Sequence, residues 1–458
     1  MPPGAELPLL PTAHFAPPVA LPSPGASPAP DAGQPDSRAT AAQIAAQVDD
    51  LLACAKQVAP TLATASTVQK NAFIHHIAEL LLQSAPQLLA ANARDLQSAA
   101  DRPDALRDRL RLDLPRLQSL AVATRDVAQL PDPVGEITSQ RRMPNGLEVR
   151  RQRVPLGVIG IVYEARPNVT IDAAVLAIKA GNTVILRGGS EAIHTNHALA
   201  ALVREALQAA GLPQDAVQMP MLPDRALVDE LVGRRGGLDL VIPRGGTSLI
   251  TAVVDAARVP VIQHYQGVCH IYVDGCADLA VAEQIAINAK TQRPGVCNAM
   301  EALLIDRAIA ATAVPRLVGA LIAAGVQVRG CDHVVALAPT QAVAAQAADY
   351  GHEFLDLICL CAVVDGVDGA LQHIARFGSH HTEAIVTTDA ATADRFVHGV
   401  DASCAIVNAS TRFNDGGCLG LGAEIGISTT KIHAYGPMGL TALTTERFVV
   451  LGQGQVRT

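Results

Sequence analysis

Between residues 158 and 257, strand-length apolar runs alternate with helix-length runs, and glycine punctuates most of the changes. Val158–Tyr163 reads as a strand. Ile171–Ala180 reads as a helix that stops at Gly181-Asn182. Thr183–Leu186 is strand-like and leads into Gly188-Gly189, and His197–Ala210 is helical and closed by Gly211 and Pro213. Leu238–Ile242 is again strand-like, followed by Gly245-Gly246 and a helix to Ala257. Alternation at this pitch predicts a parallel α/β sheet with ligands at the C-terminal ends of its strands. A second α/β stretch begins near Cys269, passes through an Asp278–Ala289 helix and an Ala302–Ile305 strand, and continues to about residue 430. No internal repeat is present.

The 458 residues suggest two or three domains, and 49% hydrophobic against 17% charged residues gives enough apolar surface for large cores. A net charge of −8 argues against a nucleic-acid partner, which needs clustered Lys and Arg. No run reaches the roughly 18 apolar residues of a membrane span. The longest candidate, 308–326, is interrupted by Pro315 and Arg316 and reads as a soluble helix. Residues 1–37 hold 11 of the 29 prolines and neither Lys nor Arg, a disordered tail by composition or an over-long gene start. Phe73, Ile77, Leu80, Leu81 and Leu88 recur at helical spacing over Asn71–Ala91. Gly135–Ser139 and Leu147–Val154 flank Pro144-Asn145-Gly146, a hairpin signal that suits a projecting element able to pair between subunits.

The nine cysteines have irregular spacing and form no disulfide or zinc framework, which implies free thiols in a reducing compartment. Cys297 differs from the others. It follows Pro294-Gly295 in a predicted helix-to-strand loop, with Lys290 and Arg293 close in sequence. Exposure and nearby positive charge would activate such a thiol, whereas burial would make it a small hydrophobe, and the pattern alone leaves both open. Cys54, Cys269, Cys276, Cys331, Cys359, Cys361 and Cys404 read as small hydrophobes, and Cys418 lies in a Gly-rich loop. No G-x-S-x-G elbow and no H-E-x-x-H spacing occurs, and the pairs His75-His76 and His380-His381 read as surface or satisfied core. The G-x-G-x-x-G dinucleotide fingerprint is also absent. Two strand-to-helix turns, Arg187-Gly188-Gly189-Ser190 and Arg244-Gly245-Gly246-Thr247-Ser248, nevertheless suit a nucleotide phosphate, each weak evidence alone. The Gly-rich segment 408–429, with Arg412, reads as a shaped loop beside a polar ligand.

Taken together, VPLGVIGIVYEARPNVTIDAAVLAIKAGNTVILRGGSEAIHTN at 154–196, HYQGVCHIYV at 264–273, NAKTQRPGVCN at 288–298, SHHTEAIVT at 379–387 and NASTRFNDGGCLGLGAEIGIST at 408–429 closely resemble the gamma-glutamyl phosphate reductase family of the aldehyde dehydrogenase superfamily. The resemblance runs from about residue 45 to the C-terminus. It implies an aldehyde-dehydrogenase-like α/β fold with an NADP-binding domain over 38–265, a catalytic domain over 266–430 and a return to the cofactor domain over 431–458. The hairpin at about 135–155 and a strand at Arg447–Leu451 would form the oligomerisation element.

The implied reaction is NADPH-dependent reduction of L-glutamate 5-phosphate to L-glutamate 5-semialdehyde in the cytoplasm, the second step of proline synthesis. Cys297 aligns with the superfamily nucleophile, and its backbone N–H and the Asn168 side chain are the candidate oxyanion donors. Arg187, Gly188, Gly189 and Ser190, with Gly245, Gly246 and Thr247, would hold the cofactor, and Glu353 its nicotinamide ribose. Ser190 replaces the acid that binds the adenosine ribose in ordinary members, and Arg187 replaces a lysine, which favours NADP over NAD. Arg166, Lys290, Arg293 and Arg412 are candidates for the anionic substrate groups, and Glu164 for its ammonium. HYQGVCHIYV lacks the water-activating acid of the hydrolytic members, as an enzyme that protects its thioester requires. A homo-oligomer is expected, with contact to glutamate 5-kinase as an added role. The rivals are an oxidative semialdehyde dehydrogenase and a scaffold that holds the kinase.

Overall fold

The computed structural model describes residues 40–221 and 224–457, so the Pro-rich segment 1–37 lies outside the described residues. Val158–Tyr163, Thr183–Gly188, Leu240–Arg244 and Val217–Gln218 form a four-stranded sheet in which every pairing is parallel. All six residues of Val158–Tyr163 are buried, because helices cover both faces of a parallel sheet and its central strands become continuous apolar runs. Ile159, Ile161 and Leu186 pack in one cluster, and Val158, Val162 and Ile185 in another.

The second stretch folds into a seven-stranded, all-parallel sheet. Its order is Val343–Ala344, Gln327–Gly330, Ile358–Val364, Met300–Asp306, Cys269–Val273, Thr382–Val386 and Cys404–Val407. The hairpin forms as the Asn-Gly turn predicts. Ile137–Arg142 pairs antiparallel with Glu148–Pro155, Gly146 takes φ +85°, and Thr444–Leu451 adds a third strand. Asn71–Ala91 is not one helix. Thr67–Gln83 and Ala85–Ser98 are separate, and Ser84 joins them. Pro86 explains the break, since a ring with no N–H fits the first turn of a new helix better than the interior of an old one. Ala310–Ala323 does run through Pro315 as a helix.

One ion pair governs the position of the cysteine segment. Lys290, in the last turn of helix Leu279–Thr291, and Glu301, near the start of strand Met300–Asp306, are both fully buried, with Nζ 2.8 Å from Oε2. Burial pushes the Glu301 carboxyl up to about 7, and Lys290 opposes that shift. The pair closes the ends of the loop that carries Cys297. Removing one partner of such a pair leaves an uncompensated buried charge. Lys290→Met is therefore expected to lower the unfolding free energy by about 3 kcal/mol or more in urea titration. A loss under about 1 kcal/mol would show that the pair is not a clamp.

Candidate active site

Cys297 is half-buried, in the loop between helix Leu279–Thr291 and strand Met300–Asp306. Three contacts fix that loop from below. A Cβ on Gly267 would fall 1.8 Å from the Cys297 carbonyl oxygen, so only glycine lets these two backbones stack. The Gly267 N–H donates to Glu353 Oε1 at 2.9 Å, and the Cys269 thiol donates to the Cys297 carbonyl at 3.1 Å. From the side, Asn298 Nδ2 donates to the Asn414 carbonyl at 2.9 Å, and Asn414 Nδ2 donates to Thr382 Oγ1 at 2.7 Å. Segments 264–270, 297–298, 353, 381–382 and 414 thus meet at one place.

Positive charge gathers over the thiol. Arg244, at the C-terminal end of strand Leu240–Arg244, favours the Cys297 thiolate, while Glu353 and Glu424 oppose it. Burial outweighs these charges and pushes the thiol up to about 11. Partial desolvation by the surrounding protein, with the like charges of Arg244, Arg109 and Arg293, lowers the pKa of Arg166, although the residue reaches solvent, and Cys297 acts on it in the opposite sense. Four arginines from separate segments therefore share one field with Cys297, an environment that attracts anions. Arg412 stands at the rim, where its Nε donates to Gln292 Oε1 at 2.8 Å.

Backbone strain concentrates around this centre. The four non-glycine residues with positive φ among those described are Ala165, Leu355, His380 and Asn408. The first three neighbour Arg166, Glu353 and His381 in sequence. Asn408 is held by its amide, which accepts from Thr387 N–H and donates to Thr387 carbonyl, both at 2.9 Å. Such conformations persist only where the surroundings over-determine them.

The other sequence-predicted residues fall into distinct positions. Arg187 and Gly188 end strand Thr183–Gly188, and with Gly189 and Ser190 they line a small cleft shared with Asn196 and His197. Arg187 donates to the Asp224 carbonyl at 3.4 Å. No carboxylate occupies position 190, but Glu191 accepts from the Ala165 N–H at 2.6 Å and crowds Gly189. At Gly245-Gly246-Thr247, the Gly246 N–H donates to Glu164 Oε2 at 2.9 Å, so an acid already caps that turn, and Glu164 is engaged there. Asn168 is exposed and donates to Asp172 Oδ2 at 2.9 Å. Burial raises Asp172 to about 6. Lys290 is not at the surface of the site, since its ammonium is bonded to Glu301 inside the protein.

Sequence reasoning missed two histidines. His264, His381 and Cys297 each place a donor atom within 4.8 Å of the others. Burial lowers His264 to about 4 and His381 to about 3, so both rings are neutral near pH 7. His381, read above as surface or satisfied core, faces inward because adjacent residues entering strand Thr382–Val386 alternate sides, and its neighbour His380 stays accessible. Arg244 was noticed only as the residue before a glycine turn.

Comparison with known proteins places the chain firmly. The Aldehyde dehydrogenase family model matches residues 27–344. A gamma-glutamyl phosphate reductase of Nitratidesulfovibrio vulgaris is 54% identical over 416 residues, covering 90% of this chain and 99% of the relative. One from Geobacter metallireducens is 50% identical over the same shares of both chains. The crystal structure of gamma-glutamyl phosphate reductase from Thermotoga maritima superposes with a TM-score of 0.88 at 45% identity, covering 90% of this chain and all of that one.

The charges around the thiol have measurable signs. Arg244→Gln is expected to slow alkylation of Cys297 at fixed pH by about tenfold, because one pKa unit of lost stabilisation is one decade in thiolate. Glu353→Gln is expected to speed it. Peptide mapping after iodoacetamide treatment reads both, and equal rates in all three proteins would remove Arg244 and Glu353 from the field of the thiol.

Proposed function

The chain belongs to the gamma-glutamyl phosphate reductase family of the aldehyde dehydrogenase superfamily, and we propose that Cys297 performs the family's reaction through a thioester. The reaction reduces L-glutamate 5-phosphate to L-glutamate 5-semialdehyde and releases phosphate, the second step of proline synthesis from glutamate. The observation that carries the assignment of Cys297 is its setting: a loop pinned over Gly267 and Cys269, a largely buried thiol and arginines from segments far apart in sequence.

The steps follow from these residues. Arg244, Arg166 and Arg293 attract the acyl phosphate, and Arg244 lowers the cost of forming the thiolate. The sulfur attacks the acyl carbon, the carbon–oxygen bond to phosphate breaks, and phosphate leaves with that electron pair. The negative charge that builds on the carbonyl oxygen during attack needs aimed donors, for which the Cys297 N–H and Asn168 are the candidates. Asn168 must first leave Asp172 to serve. Once a hydride has been added to the thioester carbonyl, collapse of the resulting thiohemiacetal oxyanion re-forms the carbonyl, breaks the carbon–sulfur bond and frees the aldehyde, and the expelled Cys297 thiolate takes a proton from solvent. Arg412, on the Gln292 side of the loop, suits the substrate carboxylate.

The family implies a nicotinamide cofactor, and we assign it as NADP. Bound, it supplies one hydride to the thioester carbonyl. Arg187, the Gly188–Ser190 turn and the cleft they line fit an adenosine 2′-phosphate, because a guanidinium stands there and position 190 lacks a carboxylate. Glu353 reaches the thiol's surroundings and suits a ribose hydroxyl, although Gly267 N–H already takes one of its oxygens. The Gly245–Thr247 turn would contribute only beside its Glu164 cap. A cofactor domain over 38–265 and a catalytic domain over 266–430 remain the division that fits these roles. Exposed Ile137, Phe448, Val450 and Leu451 on the three-stranded sheet favour self-association. No helix among the described residues is long and apolar enough to cross a membrane. The nine free thiols suit the cytoplasm. An acyl phosphate hydrolyses readily, so direct transfer from glutamate 5-kinase would be useful to this chemistry.

The deciding experiment is the reverse reaction, reduction of NADP by glutamate 5-semialdehyde with phosphate present. Wild type is expected to require phosphate and to prefer NADP over NAD, and Cys297→Ala to lose at least about 1,000-fold. Turnover without phosphate would indicate a hydrolytic dehydrogenase, and turnover in Cys297→Ala would end the thioester reading. In the same assay Arg187→Ala is expected to raise KM for NADP about tenfold while leaving that for NAD nearly unchanged, since charge-assisted bonds to phosphate are worth about 1.5–3 kcal/mol. A parallel rise for both cofactors would remove Arg187 from 2′-phosphate recognition.

A further inference from the structure

We propose that His264, Cys297 and His381 form a binding site for a thiophilic divalent cation of the Zn2+ class, and that its occupancy silences the nucleophile. The donor set is the first ground. One ligating atom of each residue lies within 4.8 Å of the other two. Two imidazoles and a thiolate are ligands that zinc prefers, and three protein ligands leave the fourth tetrahedral position open. Bond lengths of about 2.0–2.1 Å to nitrogen and about 2.3 Å to sulfur require the donors to draw together by roughly 1 Å. Rotation of the Cys297 side chain, a residue that is not fully enclosed, can supply that movement.

The second ground is the way the histidines are held. His264 Nδ1 donates to the Ile427 carbonyl at 3.0 Å, which fixes the ring and leaves Nε2 as the acceptor. A backbone carbonyl behind the imidazole is the usual support of a metal-ligating histidine. His381 is completely buried, with Nδ1 2.7 Å from Thr382 Oγ1 and with Nε2 lacking any hydrogen-bond partner. A buried ring nitrogen without a partner is costly and calls for an explanation. The two rings meet edge to face at 5.6 Å, so both belong to one small polar enclosure above the sulfur. The hydrogen bonds and the ion pair that position the loop do not use either imidazole.

Binding is a simple exchange. The Cys297 S–H bond breaks, its proton passes to solvent, the sulfur lone pair bonds to the cation, and no oxidation state changes. One proton is released per cation bound. With the sulfur ligated, no attack on an acyl phosphate can begin. That last consequence rests on the thioester reading, whereas the site itself does not.

Cobalt(II) tests the site on the intact chain, because thiolate ligation adds a near-ultraviolet charge-transfer band. Wild type is expected to develop that band with one-to-one saturation and to lose it when Zn2+ is added. The band should vanish in Cys297→Ser, persist when the exposed Cys276 and Cys418 are both changed to serine, and require at least tenfold more cobalt in His381→Gln. Absence of the band in wild type, its survival in Cys297→Ser, or unchanged affinity in His381→Gln would overturn the proposal. The wild-type result stands even if a variant fails to fold. Zinc should also inhibit the reverse reaction at the concentration that displaces cobalt, with recovery on adding a chelator. A protein that binds cobalt through Cys297 yet still turns over with zinc bound would retain the site and lose the thioester. One that shows no cobalt band while Cys297→Ala is inactive would lose the site and retain the thioester.

Discussion

The buried pair of Lys290 and Glu301 sets the frame that holds the Cys297 loop. It joins the end of a helix to the start of a strand, and the loop between them has nowhere to go except over Gly267. Two charges out of water are stable only when they meet well, so the pair tolerates little displacement. The Cys297 loop is thus framed by an interaction that lies wholly inside the protein. Asn298 and Asn414 extend the same logic sideways and tie the loop to the Gly-rich segment that follows residue 408.

The arginine that most favours the Cys297 thiolate comes from the other sheet. Arg244 ends a strand of the four-stranded sheet, whereas Cys297 precedes a strand of the seven-stranded sheet. Neither sheet alone contains the site. Ligands of parallel sheets sit beyond strand C-termini, and here that rule accounts for Arg244 and Arg166, whereas Cys297 lies before the N-terminal end of its strand. Burial dominates the balance, so the resting thiol keeps its proton until the site fills.

Much of this was legible in the chain. The alternation from Val158 onward predicted the parallel sheet, and Pro144-Asn145-Gly146 predicted the hairpin, because both signals are local. The Cys297 loop stood out for the same reason. Lys290 was misread as a substrate ligand, although Ala282, Ile285, Ala286 and Ala289 mark the buried stripe of its helix, and Lys290 falls four residues after Ala286 on that stripe. The histidines were illegible on different grounds. His264 and His381 lie 117 residues apart in number and meet only because two neighbouring strands begin beside each other. No spacing rule reaches across such a distance. Arg244 was half visible: its neighbouring glycines drew attention to a phosphate turn, and the turn itself proved to be capped by Glu164.

A thiol held at about 11 has a further consequence, for survival rather than for turnover. Peroxides attack thiolates, not thiols, and they climb the oxidation ladder fastest at exposed, ionised sulfur. The idle protein therefore presents oxidants with a protonated, partly sheltered Cys297, while Cys276 and Cys418 are exposed. Oxidative damage should accumulate first at these exposed thiols, so the protein ages at its surface before it ages at Cys297.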